Sequence, residues 1–360
     1  MNKTLSLMLL AGSMLFATTP ADACTGITLK SKDGHTIPAR TIEWGGSDLN
    51  SQYVIVPRGY TQQSYLPGGA TDGMKFTARY GYVGLAVEQK EFVAEGLNEV
   101  GLSAGLFYFP NYGQYETYDD AHKASSIADL QLVSLLLGQC ATVDEVKETV
   151  EKIHVINIDP RSSTVHWRFT DLSGRQIVLE IVGGTPRFYD NPLGVLTNSP
   201  GFEWQLTNLN NYVNLFSGTA PAQQLGEQPL ASFGAGSGML GLPGDVTPPS
   251  RFVRAAFYQA TAPQQATALE TVLQGFQILN NFDIPVGVEF PLGKVPANIP
   301  SATQWTSATD MASGIIYFRT MYNSTIRSIN LRNIDFAKTR YQAVPMDVVR
   351  QQPVEAIDIK

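Results

Sequence analysis

The sequence predicts an α+β protein in which two stacked antiparallel sheets are covered by helices on both outer faces, a four-layer αββα sandwich. Strand patterns come first, followed by two helical patterns, more strands, more helices and a last group of strands, an order that does not fit alternating βαβ units. Of the 360 residues, 43% are hydrophobic, which is enough for a large core. No internal repeat or long linker interrupts the chain, so we expect one domain over residues 24–360.

The N-terminal segment has the pattern of a secretory signal peptide, residues 1–23. A lysine near the start is followed by an apolar run over 5–16, too short to span a bilayer, and Ala21 and Ala23 form a small-residue cleavage pattern. Cleavage after Ala23 would make Cys24 the first residue of an exported chain, periplasmic or secreted. Two alternatives remain open: the segment could be a buried helix, or the cysteine could carry a lipid anchor.

A β-hairpin is predicted directly after the cleavage point, over residues 24–44. Alternating apolar residues lead into Asp33-Gly34, a strong signal for a two-residue turn, and a second strand returns. With these two residues at the centre of the turn, Glu43 lies opposite Cys24 and Arg40 points to the other face of the sheet. A bulge or a different register would be needed to bring both charged side chains to the thiol.

The remaining chain alternates between strand and helix patterns. Strands are predicted at 53–56, 76–88, 91–96, 101–109, 164–170, 176–182, 187–189, 194–197, 302–309, 314–320 and 324–331. Helices are predicted at 125–139, 142–153, 201–212 and 250–278. Ser126 is a possible cap of the first helix, and Thr142 with Glu145 forms a capping-box pattern at the start of the second.

An aromatic-rich loop follows the strand pattern at 101–109. Aromatic side chains at this density between prolines and glycines suit an apolar substrate pocket, although they would equally fill a core. We take Tyr108, Phe109 and Tyr112, together with Trp44 at the end of the hairpin, as candidate pocket residues. The loops expected to shape the pocket are 45–50, 60–72 and 107–120.

Two motifs match known patterns without the required context. Gly101-x-Ser103-x-Gly105 has the spacing of a hydrolase nucleophile elbow, which needs a strand, a sharp turn and a helix, whereas here it lies inside a strand pattern. Gly236-x-Gly238-x-x-Gly241 fits a dinucleotide fingerprint but leads into a loop. Neither motif therefore indicates the chemistry of this chain.

Charge and composition limit the expected partners. The net charge is −7 and no basic tract is present, which argues against nucleic acid. The four histidines and two cysteines show no metal-ligand spacing, so we expect no metal and no other cofactor; we also expect no membrane span. Cys140 ends an apolar helical run and is expected to be a small buried residue, which leaves Cys24 unpaired and indicates a reactive thiol.

An N-terminal Cys24 would supply a nucleophile and a base from one residue. A free α-amino group titrates near ~7.7–8.0 and can accept the thiol proton at neutral pH. A guanidinium such as that of Arg40 would favour the thiolate, and an asparagine amide is a suitable donor to an oxyanion. The expected reaction class is attack on a carbonyl.

Seven segments along the mature chain carry a family resemblance. They are 24–26, 39–44, 95–102, 191–200, 241–245, 250–254 and 303–306. In this order the chain resembles the choloylglycine hydrolase family, the bile salt hydrolases and penicillin V acylases within the N-terminal nucleophile (Ntn) hydrolases. The resemblance implies the Ntn-hydrolase fold, a homotetramer and an amidase that cleaves linear C–N amides through an acyl-thioester.

The resemblance also implies a role for each matching residue. Cys24 matches the nucleophile, Arg40 the arginine beside the thiol, Asn198 the oxyanion-hole amide and Arg251 a second active-site arginine. Glu43 stands where the family usually has aspartate.

A second departure from the family pattern is Phe107, which falls where many members have Asn or Tyr, so its backbone N–H alone could serve the oxyanion. The implied substrates pair an apolar acyl group with a small polar amine: conjugated bile salts, penicillin V or N-acyl homoserine lactones. Two other classes remain open, an exported ligand-binding protein that has lost its chemistry through these two departures, and a lipid-anchored surface protein.

Overall fold

The structure is a computed structural model that describes residues 23–158 and 164–359. The predicted signal peptide lies outside the described residues, apart from its last residue, Ala23. No helix of the described part is both long enough and apolar enough to cross a membrane.

The regular elements of the described residues are given in chain order. The strands are β1 Ala23–Lys30, β2 Thr36–Glu43, β3 Gln52–Val56, β4 Thr61–Gln63, β5 Lys75–Thr77, β6 Tyr82–Ala86, β7 Val93–Asn98, β8 Ser103–Tyr108, β9 Ser126–Ala128, β10 His154–Ile156, β11 Val165–Thr170, β12 Gln176–Val182, β13 Thr185–Asp190, β14 Gln223–Leu225, β15 Gln228–Leu230, β16 Thr303–Asp310, β17 Ile315–Thr320, β18 Asn323–Asn330 and β19 Gln342–Pro345. The α-helices are α1 Leu132–Gln139, α2 Val143–Val150, α3 Phe202–Asn208, α4 Pro248–Thr261 and α5 Ala268–Leu279. Short 3₁₀ helices are Pro67–Gly69, Asp120–Ser125, Asp129–Gln131, Leu209–Tyr212, Ser237–Met239, Asn280–Phe282, Val286–Val288 and Leu331–Asn333.

Two large antiparallel sheets form the centre of the molecule. The smaller has the strand order β1-β2-β16-β17-β18, and the larger has the order β13-β12-β11-β8-β7-β6-β3-β19. Helices α4 and α5 pack on the smaller sheet, while α1 and α2 pack on the larger. The helices thus cover the outer faces of both sheets, and the predicted four-layer αββα arrangement is confirmed.

The two sheets approach each other most closely where β1 meets the larger sheet. A side-chain carbon on Gly26 would lie 2.9 Å from both Arg168 Nη1 and Phe107 Cζ, closer than real Cβ contacts. Gly26 also exchanges two backbone hydrogen bonds with Leu196, of 2.7 and 3.1 Å. A glycine is required here because β1 is enclosed between the larger sheet and the segment that carries Leu196.

The turn of the first hairpin differs from the prediction. The backbone N–H of Ser31 donates to the carbonyl of His35 at 3.0 Å, which closes a loop of three residues, 32–34. Gly34 has a φ of 93°, the left-handed conformation that ends a three-residue hairpin loop. The predicted two-residue turn is therefore wrong by one residue.

This change of one residue reverses the faces of the return strand. Cys24 pairs with Ile42 and Ala23 pairs with Glu43. Residues directly opposite each other share a face, so Arg40, two residues before Ile42, lies on the face of the Cys24 thiol. Glu43 points to the other face.

Two helix predictions also need correction. The helix predicted from residue 125 begins only at Leu132, because Ser126 starts β9 and pairs in parallel with β10 instead of capping a helix. The helix predicted over 250–278 is two helices, α4 and α5. The chain leaves the helical conformation at Ala262, the residue before Pro263, as expected from the steric effect of a proline ring on its predecessor.

The caps of the later helices follow their sequence signals. Thr142 Oγ1 accepts a hydrogen bond from the backbone N–H of Glu145 at 3.2 Å and so caps α2, while Glu145 Oε2 accepts from the N–H of Ala141 at 2.6 Å, one residue before the partner that the predicted capping box requires. Thr267 and Glu270 form a reciprocal capping box at the start of α5, which the sequence analysis had placed inside a longer helix.

The two motifs set aside at the sequence level have no catalytic geometry. Ser103 begins β8 and is buried in the larger sheet, not on a strand-to-helix turn. The 236–241 segment contains a single short 3₁₀ turn and no α-helix.

Candidate active site

The sulfur of Cys24 lies beside a fixed guanidinium. Arg40 Nη2 donates to Cys24 Sγ at 2.8 Å, and both side chains are buried. The remaining donors of Arg40 reach three carbonyls, those of Leu106 (2.6 Å), Ala94 (3.1 Å) and Thr41 (3.1 Å). Arg40 is thus held by both sheets, and its charge cannot move away from the sulfur without breaking several hydrogen bonds.

Burial and charge act on the thiol in opposite directions. Burial raises the pKa of Cys24, and the guanidinium of Arg40 opposes this shift. The backbone N–H of Tyr108 also donates to the sulfur and favours the thiolate, as does the charge of Arg251. Burial is the largest effect and keeps the pKa of the thiol above its ordinary value, while Arg40, Arg251 and the N–H of Tyr108 oppose it and an ionised Glu43 adds to it.

The backbone donor at the thiol is Tyr108, one residue after the position predicted. Phe107 instead places its ring in the core, where Arg40 Cζ lies 4.2 Å from the ring centroid. Its ring is fully buried between the sheets. The neighbouring residue, and not Phe107, therefore directs its N–H at the sulfur.

Asn198 connects the nitrogen of Cys24 to the rest of the site. Its Oδ1 accepts from the Cys24 backbone nitrogen at 2.8 Å and from Arg251 Nη2 at 2.7 Å, while its Nδ2 donates to the carbonyl of Tyr108 at 2.7 Å. In the described chain this nitrogen is still the amide of the Ala23–Cys24 peptide bond. An α-amino group formed there would have Asn198 Oδ1 as its acceptor.

Arg251 lies in the first turn of α4 and reaches the backbone of β1. Its Nη1 donates to the carbonyl of Cys24 at 2.5 Å and to Thr25 Oγ1 at 2.8 Å, and its Nε donates to the carbonyl of Val246 at 2.8 Å. The helix begins with Pro248, whose fixed φ suits the first helical position. The structure thus brings Arg251, Asn198, Arg40 and Cys24 together.

Glu43 lies near this cluster but on the other face of β2. Its Oε1 accepts from Thr303 Oγ1 at 3.4 Å. Burial raises the pKa of Glu43 to about 8, with the charge of Arg251 opposing the shift. Glu43 is therefore protonated below about pH 8, and only its ionised form opposes the thiolate of Cys24.

The four predicted pocket residues do not form one group. Phe109 is fully buried and stacks on His166 with ring centroids 4.3 Å apart, so it is a core residue in this structure. Tyr112 is 50% exposed, while Tyr108 and Trp44 are partly buried. Trp44 Nε1 donates to Ser47 Oγ at 3.0 Å. Of the four predicted pocket residues, three therefore have a partly exposed aromatic ring: Trp44, Tyr108 and Tyr112.

The buried histidine, His166, is bound by partners other than the thiol. His166 has Glu180 Oε1 at 3.1 Å from Nδ1 and the carbonyl of Thr197 at 3.0 Å from Nε2, so both of its ring nitrogens are occupied. Cys24 and Cys140 are both free. Within 23–158 and 164–359, no three His, Cys, Asp or Glu side chains lie close enough to hold a metal ion.

The sequence analysis missed two charged residues near the site, Glu95 and Arg168. Each is a charged residue within a strand that is buried along its whole length, β7 and β11. A charge in such a strand is almost always paired, which was the available signal. Arg168 Nη2 donates to Glu95 Oε1 at 3.2 Å.

Comparison with known proteins gives the family of this chain. Residues 24–342 match the model of the linear amide C–N hydrolases, choloylglycine hydrolase family. The bile salt hydrolase/transferase of Lactiplantibacillus plantarum is 34% identical over 331 residues, 90% of this chain and 97% of that protein. The penicillin V acylase of Pectobacterium atrosepticum is 26% identical and aligns with 87% of this chain and 82% of that protein.

A solved structure shows the same fold. An arginine-to-leucine variant of the conjugated bile acid hydrolase from Clostridium perfringens superposes with a TM-score of 0.80 at 29% identity, over 93% of this chain and all of that chain. The family match covers most of the chain, and its members hydrolyse linear amide C–N bonds. This chain belongs to the choloylglycine hydrolase family and is a linear amide C–N hydrolase of the bile salt hydrolase and penicillin acylase type.

Proposed function

We propose that this protein is an exported amidase whose nucleophile is Cys24 at the N-terminus of the mature chain. One observation supports this most strongly: a single residue has its sulfur 2.8 Å from Arg40 and its backbone nitrogen 2.8 Å from Asn198. The family match also begins at residue 24. Removal of residues 1–23 converts that nitrogen from an amide into an amine, which can act as a base.

The proposed reaction proceeds in two stages. The α-amine takes the proton of the thiol while the sulfur attacks the amide carbonyl, and the N–H of Tyr108 and the amide of Asn198 stabilise the oxyanion. The proton then passes from the ammonium to the leaving amine as the C–N bond breaks, which leaves an acyl-thioester. Water, deprotonated by the same amine, attacks the thioester and releases the acid and the free thiol.

The proposed substrate pairs an apolar acyl group with a small polar amine. Related proteins named bile salt hydrolase/transferase and penicillin V acylase support conjugated bile salts and penicillin V, with N-acyl homoserine lactones as a third class. The partly exposed rings of Trp44, Tyr108 and Tyr112 are suited to an apolar acyl group.

The test compares release of the amine from a taurine-conjugated bile salt, penicillin V and an N-acyl homoserine lactone. We expect turnover of at least one substrate by the wild type and none by Cys24→Ala. Cys24→Ser should keep the fold and lose activity on the order of 10³-fold or more, because a hydroxyl is a poor nucleophile at neutral pH. Equal, negligible release by wild type and Cys24→Ala would favour a ligand-binding protein instead.

The proposed processing has its own measurement. The intact mass of the protein recovered after export should correspond to a chain that starts with unmodified Cys24. A chain that retains residues 1–23 should be inactive, because its Cys24 nitrogen is an amide and cannot accept a proton. A diacylglyceryl adduct on Cys24 would contradict the proposal and indicate a lipid-anchored protein.

We also propose a homo-oligomer, a tetramer as the family resemblance implies. The segment 213–245 carries the two-stranded ribbon β14–β15 and exposes large apolar side chains. These are Val213, Phe216, Leu225, Leu230, Phe233 and Leu240. A contact with a second copy of the chain would remove this surface from water.

A further inference from the structure

A row of buried charged side chains runs from Cys24 into the larger sheet. Beyond the contact between Arg40 and the sulfur, Arg40 Nη1 lies 3.7 Å from Glu95 Oε2. Glu95 Oε1 in turn accepts from Arg168 Nη2 at 3.2 Å. None of the three side chains is more than 2% exposed. Buried charges of this kind persist only where they are balanced by partners.

The backbone around these side chains is shaped to admit them. A side-chain carbon on Gly105 would lie 2.1 Å from Glu95 Oε2, so only a glycine leaves space for this carboxylate. Gly26 leaves the corresponding space for Arg168 Nη1. Both guanidinium groups also contact the ring of Phe107, with their Cζ atoms 4.2 Å (Arg40) and 5.4 Å (Arg168) from its centroid.

The charges of the three residues do not cancel. Two guanidinium groups carry +2 and one carboxylate carries −1, because arginine stays protonated in proteins. Among the residues that the structure describes, Arg168 pairs with no acid other than Glu95, and its Nη1 donates to the carbonyls of Ile27 (3.2 Å) and Ala39 (3.3 Å). A net charge of +1 is thus left next to the sulfur of Cys24.

We propose that Glu95 and Arg168 are positioning residues which, with Arg40, form a buried cluster of net charge +1 whose counter-charge is the Cys24 thiolate. Arg168 supplies the excess positive charge, and Glu95 limits it and holds Arg40 in place. The inference rests on the proposed role of Cys24 as nucleophile. It gives Glu95 and Arg168 a role in setting the charge at the thiol, although neither contacts the sulfur.

Other titratable and charged groups also face the thiol, and they are the same in the wild type and in every variant of the test. Arg251 favours the thiolate and Glu43 disfavours it. Glu289 lies close enough to Arg251 and Glu43 to act on both. The N–H of Tyr108 donates to the sulfur. Replacing only Glu95 or Arg168 leaves all of these groups in place.

The experiment measures how the rate of Cys24 alkylation by iodoacetamide depends on pH. Arg168→Met should raise the apparent pKa of the thiol by about one pH unit, and Glu95→Gln should lower it by a similar amount, since they remove opposite charges. Mass spectrometry of the labelled peptide separates Cys24 from Cys140, whose pKa burial raises to about 11. Arg175→Met is the matched control, because Arg175 pairs with Asp144 and Asp190 at the surface.

Opposite shifts are the decisive result, because loss of packing alone would move both variants in the same direction. Shifts of the same sign, or no shift in a folded variant, would overturn the proposal. If one single variant does not fold, the double variant Glu95→Gln/Arg168→Met removes a neutral pair and should return the thiol pKa close to the wild-type value. A double variant with a strongly raised pKa would also overturn it.

Alkylation and turnover separate this inference from the proposed function. Opposite shifts in a protein that hydrolyses no amide would contradict the proposed function but support the charge cluster. A protein that hydrolyses amides with unshifted alkylation contradicts the cluster alone. Glu95→Asp, which retains the negative charge, should keep the pH dependence of Cys24 alkylation seen in the wild type.

Discussion

Arg40 and Cys24 share one face of the first hairpin, with 2.8 Å between the guanidinium and the sulfur, because Arg40 stands directly opposite Gly26. Gly26 is two residues from Cys24, so the two side chains are diagonal neighbours on the pleated sheet. The relationship depends on the three-residue loop that ends at Gly34. A two-residue turn would have placed the guanidinium on the opposite face.

Replacing Arg40 by methionine should raise the pKa of the Cys24 thiol by about 1–3 pH units, because the nearest positive charge is lost. The acidic limb of the kcat/KM profile should move in the same direction. Arg40→Lys keeps the charge but cannot bind the sulfur and three carbonyls at once, so it should restore the profile only in part. An unchanged acidic limb in a folded Arg40→Met protein would contradict this role.

Replacing Asn198 by alanine should lower kcat by about 10²–10³-fold, as expected for the loss of an oxyanion donor. Asn198→Asp keeps an oxygen for the Cys24 nitrogen and Arg251 but loses the Nδ2 donor, so steady-state kinetics of the two variants separate the acceptor role from the donor role. Asn210→Ala, an exposed residue beyond α3, is the control. Full activity of Asn198→Asp would show that the Nδ2 donor is dispensable.

The carboxyl of Glu43 should make the stability of the protein depend on pH. Its pKa is about 8 in the folded chain against an ordinary value of 4.5, so the folded state holds a proton that the unfolded state releases between these values. The contribution is fully present below about pH 4.5 and is lost as the pH rises through 8. Urea unfolding of a chain that retains Ala23 should therefore show Glu43→Gln gaining stability over wild type from pH 5 to pH 8. A difference that stays constant with pH would contradict the buried, protonated state.

Charged substitutions in the 213–245 segment should dissociate the oligomer. Phe233→Lys and Leu225→Lys place ammonium groups in a surface that the proposed contact removes from water. Light scattering after size exclusion should give a smaller species than the wild type at equal concentration. Leu172→Lys, at an exposed turn between β11 and β12, should leave the mass unchanged. A wild-type protein that elutes as a monomer would refute the contact.

The fold was largely predictable because its layers follow from patterns that act over short distances. The residue patterns of β11 and β12 and the capping pattern at Thr142 are local signals, and the structure has the two strands and the helix α2 that they predict. The residues predicted from the family resemblance, Arg40, Asn198 and Arg251, meet around Cys24.

The errors arise where tertiary contacts compete with local preference. Ser126 forms a strand because it pairs with β10, and no local sequence pattern predicts this pairing. The loop at Lys32 to Gly34 has three residues instead of two, and one residue decides which face of the sheet each side chain occupies. Glu95 and Arg168 were missed because their partners lie on other strands, far away in sequence.

The burial of Ala23 has a consequence for the order of events in the cell. Ala23 is 4% exposed, pairs with Glu43 and packs against Ile284 and Ala302. A peptidase binds the chain on both sides of the bond it cuts, and here the residues from Ala23 onward belong to β1, which is paired with β2. The cut that we propose after Ala23 must therefore be made while β1 is still free of its sheet. On this proposal cleavage must precede folding, because a chain that folds first buries the bond after Ala23 and stays inactive.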